Sequence, residues 1–223
     1  MGQDSQRPPH RRPRVVVTRA EGRAALLAGR LEALGYDVVL CPLIEIEPLG
    51  DDPVDPAPYD WVVVTSPNGA AELARRLSVP PGRLAAIGPG TAAELRKHGL
   101  DPQLVPAVST QEGLLAELPR PAGRVLVAAA EGARRLLADE LGADFLALYR
   151  TVELSPPEPP DGDIVLLASP SAARALAATG ARIAAVVIGP ETAAAARGLG
   201  IEIAAEAETH DEDGLIAALG SLD

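Results

Sequence analysis

Aromatic side chains and cysteine are both scarce in this sequence. Only 2% of the 223 residues are Phe, Trp or Tyr, so the core must consist of Leu, Val, Ile and Ala, and aromatic platforms for stacking nucleic-acid bases are not expected. The single cysteine, Cys41, excludes an internal disulfide and favours a reducing cytoplasm. Because Cys41 ends an apolar run just before Pro42, it is predicted to be a buried structural residue and not a catalytic thiol.

Basic residues are fewer than acidic residues. The formal net charge is −11, and a field of that sign repels phosphate backbones and anionic membrane surfaces. The one basic stretch, residues 7–14, contains three prolines. It is interpreted as belonging to a disordered leader, residues 1–13, and not as a nucleic-acid-binding arm.

Long apolar runs are missing as well. No stretch approaches the roughly 18 residues of a membrane-spanning helix, and none has the pattern of a signal-peptide h-region. The hydrophobic content of 47% is that of a globular protein. We therefore expect a soluble, cytoplasmic protein with no nucleic-acid or membrane partner, and a monomer by default.

The common cofactor motifs are not found. The glycine patterns match neither a dinucleotide-binding fingerprint nor a P-loop, and there is no Gly-x-Ser-x-Gly nucleophile motif. His10, His98 and His210 have no metal-ligand spacing with one another, with Cys41 or with carboxylates. No metal site is predicted.

What the sequence does contain is a regular alternation of strands and helices. Short apolar runs rich in β-branched residues predict strands at residues 14–18, 37–40, 61–65, 84–87, 124–127 and 163–168. Helical spacing follows most of them; Asn68 is predicted as the N-cap of one helix, and residues 109–112 as a capping box opening another. Because the strands are uninterrupted apolar runs, the fold class is α/β, with doubly wound parallel sheets covered by helices on both faces.

The chain also repeats itself. Four blocks that begin at Arg14, Asp60, Ile87 and Glu112 recur in the same order from Arg124, Asp163, Ile188 and Asp213. The arrangement is A–B–A′–B′, with blocks at residues 14–49, 59–119, 124–154 and 162–222. A repeat this long indicates two like lobes and not a solenoid. The residues alone leave open whether A pairs with B or with B′.

The repeated turns fall where strands end and helices begin. Ligands of such sheets bind at the carboxyl ends of the strands, and free backbone N–H groups at helix N-termini attract anions. The paired turns are therefore expected to line a cleft and to bind carboxylates or phosphates, although each residue alone could be a plain N-cap. The predicted binding residues are Thr18, Arg19, Thr65, Ser66, Asn68, Gly88, Thr91, Ser169, Ser171, Gly189 and Thr192.

The ordered set of motifs resembles the uroporphyrinogen-III synthase family over roughly residues 14–220. The motifs are Val17-Thr18-Arg19, Cys41-Pro42-Leu43-Ile44, Thr65-Ser66-Pro67-Asn68, Ala86-Ile87-Gly88 with Thr91-Ala92, Leu148-Tyr149-Arg150-Thr151, Ser169-Pro170-Ser171 and the run from Ile188 to Ala193. The resemblance implies two flavodoxin-like lobes joined by a two-stranded antiparallel linker. Lobe 1 would comprise residues 14–38 and 155–223, lobe 2 residues 47–147, and the linker residues 39–46 and 148–154.

The resemblance also implies an activity: cyclisation of hydroxymethylbilane to uroporphyrinogen III, with loss of water and inversion of ring D, on the route to haem, sirohaem and cobalamin. No cofactor is implied, and the upstream hydroxymethylbilane synthase is a possible partner. Tyr149 matches the tyrosine proposed in the family to assist departure of the hydroxyl group, and Thr91 and Thr192 match threonines that contact substrate. Of the family's Arg-Gly and Gly-Arg pairs after the A′ strand only Arg134 survives, because Ala129 and Ala130 replace the first pair.

Two other functions stay open at this point. One is a non-catalytic module of the same fold that binds a tetrapyrrole or another polycarboxylate. The other is a transferase for a phosphorylated donor, which the missing metal-binding acidic motif disfavours.

Overall fold

The computed structural model describes residues 13–222. The predicted leader thus lies, apart from Pro13, outside the described residues. The strands are β1 (Arg14–Val17), β2 (Asp37–Leu40), β3 (Ile44–Pro48), β4 (Trp61–Val64), β5 (Leu84–Ala86), β6 (Val125–Ala130), β7 (Asp144–Glu153), β8 (Ile164–Leu167), β9 (Ala184–Val187) and β10 (Ile203–Glu206). The helices are α1 (Glu21–Ala33), α2 (Pro67–Arg76), α3 (Pro89–Lys97), α4 (Gln111–Glu117), α5 (Leu136–Leu141), α6 (Pro170–Thr179), α7 (Pro190–Gly198) and α8 (Glu212–Gly220).

The strands form two five-stranded sheets. The first has the order β10-β9-β8-β1-β2 with all neighbours parallel. Counted by chain order within the sheet this is 2-1-3-4-5, the flavodoxin-like order. The second sheet has the order β3-β7-β6-β4-β5, in which β7, β6, β4 and β5 are parallel.

The two sheets are built from the same parts. The order β7-β6-β4-β5 in the second sheet matches β2-β1-β8-β9 in the first. The two middle strands differ in their order along the chain: β1 precedes β8, whereas β6, at the place of β1, follows β4. Strand β10 also has a partial equivalent in the second sheet. Ala85 forms an isolated parallel bridge with Leu104, at the place where Val186 pairs with Ala205 in the first sheet. The predicted fold class, two flavodoxin-like lobes with doubly wound parallel sheets, is confirmed.

The described chain divides into two compact units. Unit 1 contains residues 13–44, 153–207 and 215–222, and unit 2 contains residues 45–152 and 208–214. Residues 208–214 thus group with unit 2, whereas the sequence placed them in lobe 1.

Each sheet is covered by helices on both faces. In unit 1, Val16 packs with α6 and α7 on one face, while Val15 and Val17 pack with α1 and α8 on the other. In unit 2, α2 and α3 cover one face and α4 and α5 the other. The strands are therefore buried on both faces, which is why their sequences are continuous apolar runs and do not alternate.

Strands β3 and β7 form an antiparallel pair. The Leu49 N–H donates to the Leu148 carbonyl at 2.8 Å, and the Leu154 N–H donates to the Leu43 carbonyl at 2.9 Å. As one residue number rises its partner's falls, which is the antiparallel pattern. This pair corresponds to the predicted linker, although β7 begins at Asp144, well before it.

Two helix starts differ from prediction. Asn68 is not an N-cap: α2 begins at Pro67, and Ser66 is the cap because proline's fixed φ favours the first helical position. Residues 109–112 do not form a capping box, since Thr110 caps α4 by accepting from the Gly113 N–H, and Glu112 binds Arg134. Strand β10 was not predicted at all.

No helix in the part of the chain that the structure describes is long and apolar enough to cross a membrane.

The start of α4 provides a test of the fold. A Cβ placed on Gly113 would lie 2.0 Å from the Val108 carbonyl oxygen, whereas one on Gly29, an exposed position inside α1, meets nothing within 4 Å. We expect Gly113→Ala to destabilise the protein by about 1–3 kcal/mol through overpacking, and Gly29→Ala to stabilise it by about 0.5–1 kcal/mol through helix propensity. Urea unfolding of both variants measures the difference. Equal midpoints would contradict the described turn.

Candidate functional site

Two serines cap equivalent helices at the carboxyl edges of the two sheets. Ser66 follows β4 and accepts a hydrogen bond from the Gly69 N–H at 2.9 Å. Ser169 follows β8 and accepts from the Ala172 N–H at 3.2 Å. Both have the same extended backbone, and both precede a proline at the first helical position. The repeated Ser-Pro motif is thus a repeated helix start at the edge where such sheets bind ligands. The first helical residue is a proline without an N–H and the third N–H binds the serine, so the N–H of the second residue, Asn68 or Ser171, is the one left for a ligand.

The Gly-Pro turns are duplicated in the same way. Gly88 precedes α3 and Gly189 precedes α7, each with extended backbone and no side chain to cap the helix. A Cβ on Gly88 would lie 2.6 Å from the Ser109 hydroxyl oxygen, so the close approach of that loop requires glycine. Thr91 and Thr192, in the first turns of these helices, are both only 2% exposed. Their hydroxyl groups are thus largely withdrawn from solvent.

Tyr149 lies at the carboxyl edge of the second sheet and contacts one of the capping serines. Its hydroxyl group is 2.9 Å from the Ser66 hydroxyl oxygen, and either group can donate. The tyrosine is 5% exposed and belongs to the core cluster beneath α2 and α3. The structure therefore brings the predicted catalytic residue together with one predicted binding residue, across 83 positions of sequence.

A bulge and a long strand explain the position of Tyr149. Ala129 pairs with Ala147, but the next residue, Ala130, pairs with Tyr149, so that Leu148 is the extra residue. Bulges redirect side chains and are frequent beside active sites. Strand β7 has 10 residues, whereas β2, at the same place in the first sheet, has 4. After β2 the chain stays beside β1, with the Cys41 N–H donating to the Val17 carbonyl and the Leu43 N–H to the Thr18 carbonyl. This segment contains no tyrosine, so the phenol of Tyr149 has no counterpart there.

Several other predicted binding residues lie at the same edges. Thr65 follows β4 directly, and Arg19 follows β1; both are partly buried. Asn68 lies in the first turn of α2 and is also partly buried.

Thr18 does not present its side chain to a ligand. It is fully buried, and its hydroxyl group donates to the Leu166 carbonyl at 2.8 Å, which connects the end of β1 to β8.

Arg134 is held by a carboxylate of its own unit. Its guanidinium donates to both Glu112 oxygens, at 2.8 and 3.2 Å. The Arg134 hydrogen bond is the largest of the effects that lower the pKa of Glu112 to about 2. A substrate carboxylate at Arg134 would have to compete with this bidentate pair.

Arg174, a second arginine beside Arg19 at the carboxyl edge of the first sheet, was not predicted from the sequence. Arg174 donates to Glu153 at 2.7 Å and to the Ser171 hydroxyl at 3.0 Å. It therefore lies beside the predicted binding residue Ser171. The signal was its position three residues after Ser171 on a predicted helix, which places both on one face. In the second sheet the corresponding residue is Ala71, so this arginine has no counterpart there.

Metal and thiol chemistry have no evident site. Among residues 13–222 no group of three or more His, Cys, Asp or Glu side chains is placed to hold a metal ion. Cys41 is partly buried beside the core of unit 1, and burial raises the pKa of its thiol. It is thus a poorer nucleophile than an exposed cysteine. His98 lies at the end of α3, 3.5 Å from Glu94.

Comparison with known proteins gives a consistent family assignment. Residues 25–217 match the family model for uroporphyrinogen-III synthase HemD. That range includes every predicted site residue except Thr18 and Arg19.

Two relatives illustrate the extent of the likeness. A protein of Methanocaldococcus jannaschii with a provisional assignment as uroporphyrinogen-III synthase is 32% identical over 150 residues, which are 63% of this chain and 62% of that protein. The chloroplastic uroporphyrinogen-III synthase of Oryza sativa subsp. japonica is 28% identical over 93% of this chain and 80% of its own. The match thus spans less than two thirds of the archaeal relative.

A solved structure shares the fold. A mutant uroporphyrinogen III synthase from the extremely thermophilic bacterium Thermus thermophilus superposes with a TM-score of 0.63, at 19% identity, over 94% of this chain and 98% of its own.

The Glu112–Arg134 pair has a testable pH dependence. The folded-state pKa of Glu112 is about 2, below the ordinary value of about 4.3, so its stabilisation is present above about pH 4.3 and is lost as the pH falls toward 2. Since both side chains are about half exposed, we expect a coupling of at most about 1 kcal/mol at pH 7. A double-mutant cycle with Glu112→Gln and Arg134→Gln at pH 7 and pH 2.5 measures it. A coupling that persists unchanged at the lower pH would contradict the assignment.

Proposed function

The chain belongs to the uroporphyrinogen-III synthase family, and we propose that it catalyses that reaction: the cyclisation of hydroxymethylbilane to uroporphyrinogen III with loss of water and inversion of ring D. We propose that the protein is a lyase and that it acts without a cofactor. The observation that carries the proposal is the Tyr149 hydroxyl group, hydrogen-bonded to Ser66 at the carboxyl edge of the second sheet.

The location of this pair supports a role in binding and chemistry. Ser66 follows β4, Tyr149 extends from β7, and β6 lies between the two strands. The neighbouring strands β6 and β4 are the point where the strand order reverses, which is where flavodoxin-like sheets bind their ligands. A phenol here is held in place by the core and the serine.

A phenol can assist the first step of the reaction. It donates its proton to the substrate's hydroxyl group, the carbon–oxygen bond breaks, water leaves, and the electron-rich pyrrole stabilises the resulting cation. The methylene cation then bonds to the substituted α-carbon of ring D, and the bond between that carbon and its old bridge carbon breaks. The released bridge carbon bonds to the free α-carbon of ring D, which inverts the ring, and the proton lost from that carbon restores the phenol. The sum is the loss of one water with no oxidation or reduction, so the chemistry needs no redox partner.

The substrate's eight carboxylates require local positive groups, because the net charge of −11 gives no long-range attraction. Because all four helices begin with proline, the second helical N–H of α2, α3, α6 and α7, and the third of α3 and α7, supply such groups without a charged side chain. The third N–H of α2 and α6 binds the capping serine. We propose that substrate is bound at these turns by Thr65, Ser66, Asn68, Gly88, Thr91, Ser169, Ser171, Gly189 and Thr192, with Arg19, Arg134 and Arg174 nearby.

Most of the catalytic effect then comes from geometry. Holding the two chain ends of a flexible substrate together converts ring closure into an oriented intramolecular step, and preformed N–H dipoles stabilise charge as it develops. We place the enzyme in the cytoplasm, as a monomer that receives its substrate from hydroxymethylbilane synthase.

Product analysis tests the proposed activity. Purified protein supplied with hydroxymethylbilane is expected to yield uroporphyrinogen III well above the uncatalysed background, which gives the other isomer. Chromatographic separation of the two isomers after oxidation provides the measurement. Isomer I alone, at the background rate, would contradict the proposal and favour a binding module.

Removal of the phenol hydroxyl tests the role of Tyr149. Tyr149→Phe is expected to lower kcat about 10–100-fold, near the low end for general acid catalysis, with a stability loss of about 1 kcal/mol. Tyr59→Phe is the matched control, because Tyr59 also bonds through its hydroxyl, to Asp144, but at the amino end of the same sheet. Equal kcat values for the two variants would remove Tyr149 from the mechanism.

A further inference from the structure

We infer that Ser66 is a positioning residue, which acts on the reaction by holding the Tyr149 hydroxyl group, and that Gly69 is the residue that permits it. The inference rests on the proposed function and assigns to Ser66 a task beyond capping α2. It comes from comparing the two copies of the Ser-Pro turn.

The capping role alone does not require the contact with Tyr149. Ser169 caps α6 with the same backbone conformation and the same bond to the third helical N–H, in a sheet where the segment after β2, residues 41–44, contains no tyrosine. An effect of Ser66 on chemistry that Ser169 does not share, and that disappears with the Tyr149 hydroxyl group, is therefore assigned to the bond with the phenol.

The two caps differ by one residue. The third helical position is Gly69 in α2 and Ala172 in α6, and the N–H to oxygen distances are 2.9 and 3.2 Å. A Cβ on Gly69 would lie 3.1 Å from the Ser66 hydroxyl oxygen, closer than such contacts usually are. Glycine thus lets the serine oxygen sit nearer the amide, at the position from which it is 2.9 Å from Tyr149.

The hydrogen bonds that the Ser66 hydroxyl group accepts and donates determine its effect on Tyr149. The Ser66 oxygen accepts from the Gly69 N–H and still has one proton to donate. Accepting a bond makes a hydroxyl a better donor, and the positive end of the α2 dipole favours negative charge nearby. When Ser66 donates to the Tyr149 oxygen, the phenol's own proton is directed away from Ser66, and the phenolate left after proton donation is stabilised.

Activity measurements in two backgrounds separate this role from simple capping. Ser66→Ala is expected to lower kcat about three- to tenfold, the effect of losing one neutral hydrogen bond, with little change in KM. In the Tyr149→Phe background the same substitution is expected to lower kcat less than about twofold, because the partner is already gone. Ser66→Thr keeps the hydroxyl and the cap and is expected to retain most of kcat.

Ser169→Ala is the matched control. It removes the equivalent cap, so its melting temperature is expected to fall about as much as that of Ser66→Ala, but its effect on kcat is expected to be the same with and without the Tyr149 hydroxyl. Gly69→Ala provides the opposite combination: kcat falls as the serine oxygen is displaced, while the melting temperature holds or rises because alanine favours the helix.

The outcomes distinguish this inference from the proposed function. Failure of the wild-type protein to form isomer III would overturn both. An active wild type in which Ser66→Ala lowers kcat equally in the presence and absence of the Tyr149 hydroxyl would overturn the inference alone and make Ser66 a substrate contact or a plain cap.

Discussion

The length of β7 is the constraint on which the site depends. Its first half pairs in parallel with β6, and its second half pairs antiparallel with β3. A strand that extends past the carboxyl edge of its sheet needs a second partner for its backbone, and β3 supplies one. The extension carries Tyr149, and the bulge between the two halves turns its phenol toward Ser66.

This asymmetry is what makes a duplicated fold into a candidate enzyme. Both copies provide the same capped helices, with serine before α2 and α6 and glycine before α3 and α7. Such turns suit the binding of carboxylates, and repetition alone would give a symmetric binding protein. Among the groups that differ between the copies are Tyr149 and Gly69 in one and Arg174 in the other. Chemistry is accordingly expected at the second sheet.

The elements and the repeat could be predicted from sequence because they depend on local signals. β-Branched runs such as residues 61–64 specify strands, and matched blocks in one order specify duplication. The pairing of the halves could not be read from the residues, since a strand buried on both faces fits many neighbours. The Asn68 cap failed because Pro67 determines the helix start. The Ser66–Tyr149 hydrogen bond could not be predicted from the sequence, because a bulge shifts the strand register by one residue without changing the composition.

In the proposed mechanism the Tyr149 phenol transfers a proton in the step that releases water. A single-turnover measurement of isomer III formation in H₂O and D₂O tests it most directly, since product release does not contribute. The wild-type rate is expected to fall in D₂O, and this isotope effect is expected to be largely lost in Tyr149→Phe. An isotope effect of the same size in both proteins would contradict it.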